Sequence, residues 1–86
     1  MTKKMEKLNR FIESTINGFS FTLEVAKKNE WTFVEFADVL DNDYQLCYGA
    51  VLFAEIYEEV INENERKELM HKLSEAKHSI RRQFIG

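Results

Sequence analysis

The sequence lacks proline altogether and has only three glycines and one cysteine among its 86 residues. Because proline disrupts a helix interior at a cost of about 3 kcal/mol, its absence favours long helices. A lone Cys47 cannot form an internal disulfide, which predicts a reducing, cytoplasmic location. The longest uncharged apolar run covers only 46–54. That is far short of the roughly 20 residues that span a bilayer, so we expect no membrane contact.

The chain is nevertheless rich in apolar side chains. Apolar residues make up 44% of it and aromatic residues 13%, which is too much for a disordered chain. A length of 86 residues accommodates one small core. We therefore predict a single helical domain over 1–86.

Apolar residues near the start of the chain recur at intervals of three and four, the spacing of one helix face. An Asn-Gly pair falls within this series and signals a break. We predict a helix from about 3 to 16, a bend at Asn17 and Gly18, and a second helical piece from about 20 to 29. The residues of the series are Met5, Leu8, Ile12, Ile16, Phe19, Leu23 and Ala26.

Capping residues indicate three further helix starts. Thr32 with Glu35 three residues later forms a capping box, in which each side chain satisfies a free backbone N–H. The Asp-Asn-Asp run at 41–43 and the Asn-Glu-Asn run at 62–64 offer two more caps. The resulting expectation is an all-α fold, a small antiparallel helical bundle of three to five helices.

The segment 44–61 carries apolar residues on nearly every side of a helix. Such a helix is buried on more than one side, so we interpret it as the central helix of the bundle or as a helix shared with a partner. Gly49 and Ala50 would let another helix approach closely. The corresponding hypothesis is a homodimer through the central helix 44–61.

One alternative fold is open for the segment 19–37. Apolar and polar residues alternate over 19–25, which is the period of a β-strand. Trp31 begins a second run of residues that favour strands. The alternative is an α+β fold with a β-hairpin at about 19–37, although the intervening turn lacks the glycine that hairpins favour.

Charge is strongly segregated along the chain. Residues 29–65 contain ten carboxylates and no Lys or Arg, whereas 1–28 carry a net charge of +3 and 66–86 a net charge of +4. One interpretation is internal, with the acidic middle helices lying against the basic first and last helices. The other is functional, because an acidic face steers a basic partner toward it.

On the functional interpretation, the acidic middle segment, residues 29–65, occludes a basic surface of a partner protein. Exposed aromatic side chains act as anchors at such surfaces. The predicted partner-binding residues are Glu35, Asp38, Asp41, Asp43, Glu55, Glu58, Glu59, Trp31 and Tyr44.

Five residues within 22–40 match contact positions of a helix-turn-helix: Val25, Ala26, Trp31, Phe36 and Val39. The segment resembles that motif, and the resemblance implies a dimeric DNA-binding transcriptional regulator as the alternative function. Glu30 stands where the motif usually has glycine. The second helix carries Glu35 and Asp38 but no base, and DNA phosphates repel carboxylates, so we expect no nucleic-acid contact through it.

Motifs that carry chemistry are scarce. Two Glu-x-x-His pairs, at 68–71 and 75–78, have the spacing of carboxylate-bridged di-iron bundles. They lie opposite the apolar face of Leu69 and Leu73 and point to water, so we expect no metal and no cofactor. Cys47 lies in the most apolar stretch, where thiols are core residues. We assign no catalytic residue.

These observations together predict a non-enzymatic protein-binding module of the inhibitor, adaptor or immunity type. In size and charge the chain is similar to small acidic regulators encoded by bacteria, phages and plasmids. The expected partner is a basic protein.

Overall fold

Three long helices make up most of the chain in a computed structural model, which describes residues 3–86. α1 spans Lys3–Lys28, α2 spans Phe33–Ile56 and α3 spans Glu63–Ile85. Short connections at 29–32 and 57–62 make successive helices antiparallel. At 1.5 Å per residue the helices are about 35 to 39 Å long. This length matches the longest dimension of the bundle, 42 Å, so the helices lie side by side.

Each helix gives one row of side chains to a shared core. Phe84 of α3 stacks on Phe36 with ring centroids 4.5 Å apart and closes one end of that core. Burying a side chain of this size stabilises the fold by about 1.5 to 3 kcal/mol. The largest fully buried side chains are Phe19, Phe36, Ile12, Leu40, Leu73, Val51 and Cys47.

Capping boxes begin α2 and α3, which confirms two of the predicted helix starts. The Thr32 hydroxyl accepts a hydrogen bond from the Glu35 N–H at 3.2 Å, and the Glu35 carboxylate accepts one from the Thr32 N–H at 3.1 Å. Asn62 and Glu65 make the same exchange at 2.8 and 3.0 Å. Each box satisfies backbone donors that a helix start leaves unpaired.

The predicted bend at Asn17 and Gly18 is wrong, because α1 runs through both residues without interruption. The apolar series stays in register across them: Ile12 before the pair and Phe19 after it are both buried. Packing of this continuous face outweighs the roughly 1 kcal/mol that an interior glycine costs a helix.

The predicted cap at 41–43 is also wrong, and the central helix does not extend over 44–61. α2 passes through 41–43 and ends at Ile56. Leu40 and Cys47, seven residues apart, are both fully buried on the inner face, so the core holds the helix straight through the acidic run. Beyond its end, the Val60 N–H donates to the Ala54 carbonyl and Ile61 is buried.

The described residues contain no strand, and the whole of 19–37 lies in α1, the first turn and α2. Phe19 and Leu23, four residues apart, are buried together, whereas Phe21 between them is 66% exposed. A strand would have placed all three on one face. The helical interval therefore governs this segment, and the α+β alternative does not describe it.

Both turns contain a non-glycine residue in the left-handed region, Glu30 with φ 56° and Glu59 with φ 52°. A side chain there costs about 1 kcal/mol. Large apolar residues follow closely in each turn: Trp31 packs against the core and Ile61 is buried. The core therefore stabilises turns that local preference disfavours.

Gly18→Ala and Gly49→Ala are each expected to raise the free energy of unfolding by about 1 kcal/mol, because alanine has the higher helix propensity. A Cβ built at either position meets nothing within 4 Å. Urea denaturation followed by circular dichroism measures the change. Lower stability of either variant in dilute solution would show that the added methyl group meets an atom of the same chain, contrary to the open space found there.

Candidate functional site

Three of the predicted partner-binding carboxylates are paired with cations of the neighbouring helices. Asp41 lies 2.6 Å from the Lys77 ammonium of α3. Glu55 forms an ion pair with Arg66, also of α3, in which both side chains are about one-fifth exposed. Glu58 lies 3.6 Å from Lys4 of α1 at the surface. Part of the acidic segment therefore serves the internal pairing of helices.

The two predicted aromatic anchors are half-buried and pack within the chain. The Lys77 ammonium lies 4.4 Å from the centre of the Tyr44 ring, and burial raises the pKa of the Tyr44 hydroxyl. Trp31 packs against the core, and its backbone N–H donates to the Ala26 carbonyl. Both rings contribute to the bundle and present only part of their surface outward.

The other four predicted residues are spread over the acidic segment. Glu35 belongs to the capping box of α2. Asp38 is exposed on α2, Asp43 is half-buried toward α1, and Glu59 is exposed in the second turn. Among the described residues, none of these four forms an ion pair. The nine predicted residues therefore do not converge on one face.

An exposed apolar face on α2 is the feature that the predicted residue set missed. Leu46 is 64% exposed, Phe53 53% and Ile56 61%. The α2 outer face consists of Val39, Leu46, Gly49, Phe53 and Ile56. Successive members are 7, 3, 4 and 3 residues apart, which is the spacing of a helix that packs against another helix. The sequence did contain a signal for this face, because the segment 44–61 has apolar residues on nearly every side and its neighbours cannot cover them all.

A groove runs between α1 and this face. Phe11 of α1, 45% exposed, separates two hollows of about 400 and 280 Å³. The first is lined by Lys4, Lys7, Ala50, Phe53 and Glu58, together with Leu8, Ala54 and Val60. The second is lined by Ser14, Thr15, Gly18, Asp43 and Leu46. The α1/α2 groove, as these two hollows are called below, is lined both by apolar side chains, such as Phe11 and Leu46, and by charged ones, such as Lys7 and Asp43.

The helix-turn-helix segment keeps some of its expected contacts and loses others. Ala26 and Phe36 are fully buried, as inward positions of the motif would be, but Val39 is 38% exposed. The second helix is 24 residues long, lies against both α1 and α3, and carries no Lys or Arg.

The Glu-x-x-His pairs of α3 are on its surface. Glu68, His71, Glu75 and His78 are all exposed, and the His71 imidazole lies 3.6 Å from the Glu75 carboxylate. Across residues 3–86, no group of three or more His, Cys, Asp or Glu side chains is placed to hold a metal ion.

None of the described helices is both long and apolar enough to cross a membrane.

Comparison with known proteins gives no match: no family model, no curated protein and no solved structure is significantly similar to this chain.

Reversing Glu55 and reversing Glu58 should have different effects on stability. Glu55→Lys places a second cation beside the half-buried Arg66 and should lower the free energy of unfolding by about 2 kcal/mol. Glu58→Lys disrupts a surface pair and should cost less than about 0.5 kcal/mol. The two variants change the net charge equally, and urea denaturation compares them. Equal losses would contradict the assigned difference in burial.

The ionisation of Cys47 should make stability depend on pH. Burial raises the pKa of this thiol in the folded chain. In the unfolded chain the thiol has its ordinary pKa of about 8.5. Above that pH the unfolded chain releases a proton that the folded chain keeps, so the free energy of unfolding falls as pH rises. Urea denaturation at about pH 7 and pH 9.5 should show a smaller decrease for Cys47→Ala. An identical decrease in both proteins would show that the pH dependence of stability arises from groups other than Cys47.

Proposed function

We propose that this chain is a non-enzymatic protein-binding module, of the inhibitor or adaptor class, that covers a basic surface of a partner protein in the cytoplasm. The observation that supports this proposal is the α2 outer face, with three large side chains that are more than half exposed. Contiguous exposed apolar surface flanked by polar groups is typical of protein interaction sites.

The charge around this face sets the chemistry of the partner. Glu35 and Asp38 lie near the start of α2, and Glu58 and Glu59 follow its end. No Lys or Arg occurs from 29 to 65. A partner surface with an apolar centre and basic margins, such as one face of a basic amphipathic helix, meets both requirements.

The residues assigned to binding differ in part from those predicted from the sequence alone. Asp41 and Glu55 are paired with α3 cations, and Tyr44 packs beneath Lys77. We assign the apolar contribution to Leu46 and Phe53. The carboxylates assigned to steering are Glu35, Asp38, Asp43, Glu58 and Glu59.

Binding of a partner should depend on both parts of this surface. Affinity capture from a lysate of the native host with wild-type protein, Leu46→Asp and the double variant Asp38→Lys/Glu59→Lys tests this, with mass spectrometry as the readout. A basic protein captured by the wild type should be reduced at least about tenfold by either variant, since each removes about 1.4 kcal/mol or more of binding free energy.

The matched control is Glu24→Lys/Glu68→Lys, which makes the same change in net charge at exposed carboxylates of α1 and α3. It should capture the partner as the wild type does. Equal capture by all four proteins would overturn the assignment to α2. A salt-sensitive shift of random DNA at low ionic strength would instead favour the alternative of a DNA-binding regulator.

A further inference from the structure

We infer that the α1/α2 groove is occupied by the same surface of a second copy of this chain, with α1 of each copy lying over α2 of the other. The inference rests on the proposed function, because it places on the same α2 outer face a second copy that a basic partner must displace. It also includes α1, whose exposed Phe11 forms the centre of the groove.

The charges of the two helices favour a second copy over a uniformly basic partner in this groove. Lys4 and Lys7 line one hollow on the α1 side, whereas Glu58 in that hollow and Asp43 in the other lie on the α2 side. A wholly basic helix seated in the groove would meet those two lysines. The surface of a second copy carries both signs of charge and can match both sides.

Two orientations of a two-fold axis could bring the grooves together, and charge selects between them. An axis perpendicular to the helices would place α2 on α2 in antiparallel fashion. Glu35 and Asp38 of one copy would then face Glu58 and Glu59 of the other, and like charges repel. An axis parallel to the helices places the exposed cations of α1, which include Lys7, over the acidic α2 of the second copy.

Contacts within the chain determine which residues would meet. Lys4 lies beside Glu58, and Phe11 lies between Leu46 and Phe53. A two-fold axis parallel to the helices leaves the position of each residue along the helix axis unchanged, so residues that lie side by side within one chain also lie side by side across the dimer. Phe11 therefore packs on the α2 outer face of the second copy, and Lys7 approaches its Glu58 and Glu59.

Small residues at this surface are consistent with a close approach of the second copy. Gly18 lies in the groove and Gly49 on the α2 outer face, and a Cβ at either position meets nothing within 4 Å. In the dimer, the two α1 helices and the two α2 helices form a central four-helix layer, and each α3 lies outside it. Neighbouring helices in that layer are antiparallel, as in ordinary four-helix bundles.

Sedimentation velocity over a range of concentrations tests the inference. The wild-type chain should sediment as a dimer at about 100 μM. Phe11→Asp and Leu46→Asp should each weaken the dimer about a hundredfold or more, because each buries an unpaired carboxylate in an apolar interface. Val34→Asp is the matched control, since Val34 is 67% exposed but does not line the α1/α2 groove, and it should remain dimeric.

A charge exchange tests the orientation of the axis. Lys7→Glu should weaken the dimer about tenfold by facing Glu58 and Glu59 of the second copy, and adding Glu59→Lys should recover most of the loss. Circular dichroism establishes that each variant is folded. Recovery supports the parallel axis, whereas a dimer unaffected by Lys7→Glu overturns it.

The outcomes also separate this inference from the proposed function. A wild-type chain that is monomeric throughout the concentration range overturns the inference, while host-protein capture by the α2 outer face is measured independently. Phe11→Asp breaks the dimer but leaves the α2 outer face intact, so it should still capture a heterologous partner. A dimer that survives both Phe11→Asp and Leu46→Asp places the interface elsewhere and overturns the inference.

Discussion

The width of the core limits the rest of the structure. The bundle is 42 Å long but only 19 by 17 Å across, so each level between the helices has room for few large side chains, such as Phe19 or Phe36. Each helix can bury about one face in such a core. α2 has apolar residues on more than one face, and the excess lies outside on the α2 outer face. The candidate binding surface is thus a direct result of a narrow core and an unusually apolar helix.

The same arrangement divides the carboxylates of the acidic segment into two groups. Asp41 and Glu55 face α3 and are paired there with Lys77 and Arg66. Asp38 points away from both neighbouring helices and, among the described residues, has no cationic partner. The net charge of −3 therefore does not describe how charge is distributed. The carboxylates between α2 and α3 are neutralised by cations, whereas carboxylates on the outward surface of α2, such as Asp38, are not. Unpaired surface charge of one sign contributes mainly to the rate at which a partner arrives.

Much of the fold could be predicted from local sequence. The caps at Thr32 and within 62–64 were identifiable because capping depends on residues close together in the sequence. The α1 core face was identifiable because Ile12, Phe19 and Leu23 keep helical intervals. The break signals at Gly18 and at 41–43 led to wrong predictions, because the local preference at each site contributes only about 1 kcal/mol to stability. Burial of the apolar residues on both sides, such as Leu40 and Cys47, contributes more.

The candidate site was less predictable than the fold. The apolar surplus of 44–61 was visible, but which of its side chains would be left outside depends on the positions of α1 and α3. Acidity likewise did not distinguish Asp41, which has a cation beside it, from Asp38, which has none. Phe11 was missed because it lies just off the α1 core face, where one exposed aromatic residue gives no signal until the groove is seen.

The two left-handed glutamates have a consequence for how the chain acquires its structure. Glu30 and Glu59 adopt a backbone conformation that their side chains disfavour, so we expect neither turn to act as a folding nucleus. We expect helix segments to form and associate first, with Trp31 and Ile61 drawing the turns into place afterwards. The linkers between the helices are in this sense products of folding, and the transition state should contain the helix contacts but not the turns.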